Sequence, residues 1–297
     1  MKLFAPKYYK NFKCVADKCT HSCCIGWEID IDEITLKKYE SLSEGYGKEI
    51  INTVENGETA HFKLCEDERC PHLDSKGLCR IISEVGEEYL CDICREHPRF
   101  YNDTARGKFV GLGMACEEAA RIILESDYTS FVGIGEEERE EKKFDAVSMM
   151  EIVYDILSDD AFTYNEKISL IEESFKVTPK ILSDEAWREV IDSLEYLDET
   201  HRDLFFKYTS DVSAEKSIEK IFERALAYFV YRHCLDAYDE EEFLVSLGFS
   251  LFLVNLLVSI TDENSEIEEI VCLARIVSEE IEYSQDNIDT IKFEIMD

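Results

Sequence analysis

Positive charge is scarce in this chain: 32 lysines and arginines stand against 66 acidic residues, a formal net charge of −34 over 297 residues. Binding to phosphate backbones needs clustered Lys and Arg, so nucleic acid is excluded as a partner class. The first twelve residues contain Lys2, Lys7 and Lys10 but no apolar run of the length a secretory leader needs. That absence predicts a cytoplasmic, reducing setting. A nucleotide-binding glycine loop is missing too, because Phe131-Val-Gly-Ile-Gly135 is a bare G-x-G with charge after it. Two separated C-x2-C pairs, as in zinc ribbons, are also absent: only Cys91-x2-Cys94 has that spacing. The radical-cluster spacing C-x3-C-x2-C fails after Cys19-x3-Cys23, where the third position is Gly26.

What the chain does have is thiols. Ten of its twelve cysteines fall between Cys14 and Cys116. One group reads Cys14-x4-Cys19-x3-Cys23-Cys24 and runs into Gly26-Trp27; the second gathers Cys65, Cys70, Cys79, Cys91 and Cys94, with Cys116 as an outlier. A reducing compartment keeps thiols free, so metal or redox chemistry is the expected reading. Thiolate is a soft ligand that holds zinc tetrahedrally or anchors iron–sulfur clusters, and either use needs about four sulfurs. The count leaves open two sites, or one site with spare thiols. Lys13, Arg80, Arg95, Arg99, Arg106 and Lys108 make this stretch locally rich in cations that could balance a thiolate cluster, or simply pair with neighbouring acids. His21, His72 and His97 are further ligand candidates, although single histidines more often cap or pack.

Apolar residues make up 45% of the chain, enough for a sizeable core. Asp32 is the expected N-cap of a helix over 33–42. A second helix is predicted over 45–58, a short strand over 59–64, helical turns over 78–85 stopped by Gly86, and a helix over 87–97 ended by Pro98. Residues 107–115 suit a strand leading to Cys116 and a helix over 117–125. Beyond the charged stretch, helical periodicity predicts segments near 144–158, 164–176, 183–197, 214–236, 239–260 and 264–282. The run 243–260 approaches the length of a membrane span. Its Ser246, Gly248, Ser250, Asn255 and Ser259, its acidic flanks and the lack of an orienting Lys or Arg argue for a central core helix instead. Cys234 and Cys272 read as ordinary buried thiols on apolar helices.

The expected fold is thus mainly α: a cysteine-rich metal-binding module with short irregular strands over 1–130, a charged linker over 131–143, and an acidic all-α helical bundle over 144–297. Charge supports the division, with 17 basic against 24 acidic residues before position 131 and 15 against 42 after it. The acidic part reads as a solvated helix surface or as an attractor of basic substrates.

Taken in order, Cys14-x4-Cys19-x3-Cys23-Cys24-x-Gly26-Trp27, Cys70-Pro71-His72-Leu73-Asp74, Gly77-Leu78-Cys79-Arg80-Ile81, Gly86-Glu87 and Cys94-Arg95-Glu96-His97-Pro98-Arg99 resemble the flagellin lysine-N-methylase family (FliB-type). They are more distantly similar to cysteine-cluster proteins that chelate zinc or iron. The motifs cover roughly residues 1–125. The resemblance implies methyl transfer from S-adenosylmethionine to lysine ε-amines of flagellin, with an iron–sulfur centre, of 4Fe–4S type, as the metal site and zinc as the alternative. Glu117 departs from the pattern, where the family has proline after the cysteine, and Cys65 and Cys91 are its less regular members. The ligand set this gives is Cys14, Cys19, Cys23, Cys24, Cys70, Cys79, Cys94 and Cys116, with Cys65 and Cys91 in reserve. Since a donor carboxylate and adenine need a guanidinium and an aromatic surface, Trp27, Arg95 and Arg99 are the donor-binding candidates, and Tyr89 or Tyr101 could orient an amine. The competing readings are a non-catalytic zinc- or iron-chelating or redox-sensing protein and a helical adaptor. No sequence feature sets the oligomeric state.

Overall fold

The computed structural model describes residues 2–27, 29–42, 44–57, 59–138, 142–209 and 214–296. The chain enters through β1 (Lys2–Pro6), leaves to build a unit of its own over Lys13–Pro98, and returns at Arg99 to complete a second unit with its first twelve residues. The division expected at 131–143 therefore does not hold. Pairing between β1 and strands a hundred residues later sets the boundaries, and pairing at that separation leaves no mark in local composition.

The Lys13–Pro98 unit holds α1 (Glu33–Ser41), α2 (Tyr46–Ile51), β2 (Val54–Asn56), β3 (Ala60–Phe62), α3 (Arg80–Glu84) and α4 (Asp92–Glu96). Asp32 caps α1 as expected, its carboxylate accepting from the Thr35 N–H at 2.9 Å. The helix predicted over 45–58 ends early, because 54–56 pairs with 60–62 as a hairpin that places Glu55 opposite His61. The helix predicted over 87–97 is broken: a 3-10 turn over Glu87–Tyr89 stops at Leu90, and α4 starts afresh behind Cys91. The unit's apolar core joins Ile29, Ile31, Tyr39, Tyr46, Ile50, Phe62, Ile81 and Leu90 with the thiols of Cys70 and Cys91.

In the second unit, β4 (Arg99–Thr104), β5 (Gly107–Leu112), β1 and β6 (Phe131–Glu136) form one sheet in the order β4-β5-β1-β6. β1 runs parallel to β5 and antiparallel to β6. Residues 131–136 are thus a sheet strand, not part of a linker, and Gly133 and Gly135 lie in it rather than in a phosphate loop. Gly111 is required on β5, since a Cβ there would come within 2.3 Å of the Phe100 ring and 2.8 Å of Tyr231.

Helices α5 (Glu117–Glu125), α6 (Ala146–Ser158), α7 (Tyr164–Phe175), α8 (Asp184–Ser193), α9 (Arg202–Phe205), α10 (Glu219–His233), α11 (Glu240–Ile260), α12 (Ile267–Val277) and α13 (Gln285–Met296) complete this unit. Side chains of Asp145, Thr163, Ser183 and Asp239 cap α6, α7, α8 and α11. The fold is mainly α, as expected, but α9 and α13 lie outside every helix read from periodicity. α11 is long and apolar enough to cross a membrane; here it runs through the core, with Phe243, Leu247, Phe249, Leu253 and Leu257 fully buried. Its Phe252 packs against Trp187 at 5.2 Å and Tyr208 at 5.1 Å between ring centroids. Phe252→Ala is expected to lower the unfolding free energy by about 3–5 kcal/mol, read as an earlier urea midpoint.

Candidate functional site

Within the Lys13–Pro98 unit, main-chain pairing brings the cysteine-bearing loops to one place. The Cys70 N–H donates to the Cys24 carbonyl at 2.9 Å, and Ile25 bridges Arg69 alongside. Leu73 bridges Cys79, while the Arg80 N–H donates to the His72 carbonyl at 2.7 Å. Cys79 and Cys91 each precede a short helix, α3 and α4, and backbone N–H groups of those first turns bond to their sulfurs. Cys91 and Cys94 are hydrogen-bonded thiol to thiol.

Five thiols, those of Cys24, Cys70, Cys79, Cys91 and Cys94, share the same apolar cluster. Their charges register on one another. Cys94 is pushed far up by its bond to Cys91, by burial, and by the negative charge of Cys91, Cys24 and Cys70. Burial first, then Cys79, Cys91 and Cys65, raises Cys70 to about 11. Cys91 is lowered, first by its interaction with the Cys94 thiol and against the effect of burial. Cys23 sits on exposed backbone, with its thiol bonded to Cys24 and His97. Among the described residues the His97 Nε2 is buried without a hydrogen-bond partner. His72 is committed instead to packing, with Nδ1 bonded to Tyr46 Oη at 2.7 Å and Nε2 to Thr53 Oγ1 at 3.0 Å.

Not all the expected ligands gather here. Cys14 and Cys65 are exposed and Cys19 is half-buried. Cys116 belongs to the other unit, at the start of α5, where it packs on that unit's core. Cys91, placed in reserve from sequence, is 1% exposed and central; its C-x2-C spacing was the available signal. The donor-binding candidates divide as well. Trp27 and Arg95 lie in the cysteine unit, where Arg95 pairs with Asp92 and with Glu96 at 3.7 Å. Arg99 opens β4 in the other unit, its Nε donating to Tyr9 Oη at 2.8 Å.

The second unit holds a constellation with no counterpart in the sequence reading. After α12 the helix widens into a π-turn over Ser278–Glu282, and Glu279, Glu280 and Glu282 all turn inward. Such turns recur at functional sites. Glu282 accepts from His233 Nε2 at 2.7 Å and Tyr228 Oη at 3.0 Å, and forms an ion pair with Arg232 Nε at 3.1 Å. Glu280 accepts from His201 Nδ1 at 2.6 Å and from the Leu197 and Asp198 N–H groups at 2.7 and 3.2 Å. Glu279 pairs with Arg275. Among the described residues, His201, Glu279 and Glu280 form a group of potential ligands whose donor atoms lie within 4.8 Å of one another. Arg275 and the two N–H groups already answer those carboxylates, so this is an ion-pair lock on the 195–201 segment rather than a cation site.

Burial lowers the pKa of His233, by more than Glu282 raises it. Burial alone would raise Glu282, yet Arg232 and the bonds from His233 and Ser278 lower it. A depressed native pKa stabilises the fold above the unfolded-state value and loses that stability as pH falls through the native one. Stability is therefore expected to drop below about pH 6.5 through His233, and further below about 4.5 through Glu282. His233→Gln keeps a donor to Glu282 without a titrating group, so urea midpoints measured from pH 7 to 5 should change less steeply in that variant.

Comparison with known proteins adds the family. The model for the FliB lysine N-methylase C-terminal domain matches residues 106–296. The chain is 29% identical over 126 residues to the flagellar biosynthetic protein FliU of Salmonella muenchen, covering 40% of this chain and 75% of that one. It is likewise 29% identical over 126 residues to lysine-N-methylases of Salmonella choleraesuis and Salmonella typhimurium, covering 40% of this chain but only 31% of theirs. No solved structure matches. Because the family model spans about two thirds of the sequence, the chain belongs to the FliB-type flagellin lysine N-methylase family.

Proposed function

We propose that this protein transfers a methyl group from S-adenosylmethionine to lysine side chains of flagellin, in the cytoplasm. The observation that carries this reading is the family match over 106–296, joined by the relatives named lysine-N-methylase. The reaction asks that the lysine ammonium lose a proton, that its nitrogen line up with the sulfonium methyl, and that water be kept out. Incubating anaerobically purified protein with labelled S-adenosylmethionine and flagellin is expected to put label on lysine. A preparation with its metal intact and no labelled lysine would sink the reading.

The thiol cluster supports a metal centre held by residues drawn from Cys24, Cys70, Cys79, Cys91 and Cys94, with Cys23 and His97 beside it. The donor set fits: soft sulfurs exceed four, and they sit at the edge of an apolar core. Around one zinc ion, Zn–S bonds of about 2.3 Å place the sulfurs roughly 3.8 Å apart. An iron–sulfur cluster, where iron and sulfide separate the protein sulfurs, is the centre the resemblance implies. When bound, such a cluster supplies electron transfer or a rigid, charged scaffold. A visible absorption band with iron in elemental analysis is expected; zinc without colour would overturn the iron assignment. The cysteine unit lies outside the 106–296 match, which favours, as a second reading, chelation or redox sensing as a function in its own right.

A further inference from the structure

The Arg232 guanidinium lies between two aromatic faces, with its central carbon 4.9 Å from the Phe100 ring centroid and 5.0 Å from that of Tyr283. Its Nε lies 3.1 Å from Glu282 Oε1 in an ion pair, and its Nη2 donates to the Glu282 carbonyl at 3.4 Å. Nη1 is buried with no hydrogen-bond partner among the described residues, while the Tyr283 side chain closes on the guanidinium. A charged N–H left without an acceptor is costly, and the two rings and the Glu282 bonds fix the plane, so the open edge points in one set direction. Tyr283 is 36% exposed, which makes it the side of the sandwich that faces solvent. Lys292, whose charge is felt at His233, adds a second positive group to this network. Asp289 and Glu242 face Lys292 in turn.

We propose that Arg232 receives the carboxylate of an amino-acid-type ligand on its Nη1 edge, with Tyr283 turning aside to admit it; resting on the methyl-transfer reading above, that ligand is the methionine end of the methyl donor. A planar guanidinium matches a carboxylate, and the aromatic faces around it suit the sulfonium that follows four bonds from the carboxylate carbon along the donor. This moves the donor-binding arginine from Arg95 or Arg99 to a residue within the family-matched span.

The test compares two probes by calorimetry on the full chain: S-adenosylhomocysteine, and S-adenosyl-3-thiopropylamine, which lacks only the carboxylate. The unaltered protein is expected to bind the first about tenfold or more tightly than the second. In Arg232→Lys, which keeps a charge facing Glu282 but loses the fork, the ratio should fall toward one through weaker binding of S-adenosylhomocysteine alone. A ratio near one in the unaltered protein, where water would then fill the Nη1 edge, overturns the proposal even should the variant fail to fold. An undiminished ratio in Arg232→Lys overturns it as well. If lysine is methylated by Arg232→Lys with unchanged KM for the donor, the carboxylate site falls while methyl transfer stands. A ratio that behaves as expected in a protein that labels no flagellin lysine leaves the carboxylate site in place and removes the transfer reading instead.

Discussion

Cys91→Ser is expected to strip the protein of bound metal, whereas Cys14→Ser should leave metal content close to that of the unaltered chain. Cys91 is 1% exposed and lies in one apolar cluster with Cys70 and Cys94. Cys14 is exposed. Serine offers a hard oxygen that remains protonated where a soft thiolate is needed, and changes beside a metal already cost ten- to a hundredfold in affinity; loss of a ligand should cost at least that. Iron and zinc per chain, measured after anaerobic purification, check it. Full metal content in both Cys91→Ser and Cys94→Ser would remove the α4 pair from the centre.

The second large effect is expected at Glu282. Its side chain is fully buried and answers Arg232, His233 and Tyr228 together. Glu282→Ala removes the carboxylate and leaves the guanidinium charge buried with its Nε unanswered, a situation that costs about 3–5 kcal/mol. Glu282→Gln keeps an acceptor and the shape, so a smaller loss is expected. Urea unfolding of the three proteins gives the comparison; a loss below about 1 kcal/mol in Glu282→Ala would show that the network relaxes freely.

Much of the local structure was legible because its causes are local. The Asp32 cap sits three residues before the N–H it accepts from, and the acids at Glu117 and Glu118 begin α5, where the helix dipole favours them. α11 was readable as a core helix from its polar interruptions and acidic flanks, and the acids of 240–242 do form its first turn. The candidate site was half legible. Cysteine spacing named the region, and Cys24, Cys70, Cys79 and Cys94 of its first rank share a cluster with Cys91 from its reserve. That ranking followed the regularity of a motif, while membership of the cluster depends on which unit a residue folds into.

The acids of the second unit show the other limit. Glu279, Glu280 and Glu282 look like solvated helix surface in a chain so rich in carboxylates. They are buried because one extra residue per turn in the π-turn rotates them inward, and because Arg275, His201, Arg232 and His233 arrive from other elements to meet them. Composition counts charges but not their partners.

What the sequence determined by itself was the chemistry on offer: many soft thiols, a large excess of acidic residues, mainly helical periodicity and the family those cysteine motifs resemble. The tertiary structure decided which of those groups meet. β1 pairs with β5 and β6 across a hundred residues, and so divides the chain at 12 and 99 rather than at its charged stretch. Five thiols share one apolar cluster within the Lys13–Pro98 unit. Convergence of this kind depends on contacts between residues far apart in the chain, and no local pattern of spacing or charge encodes them.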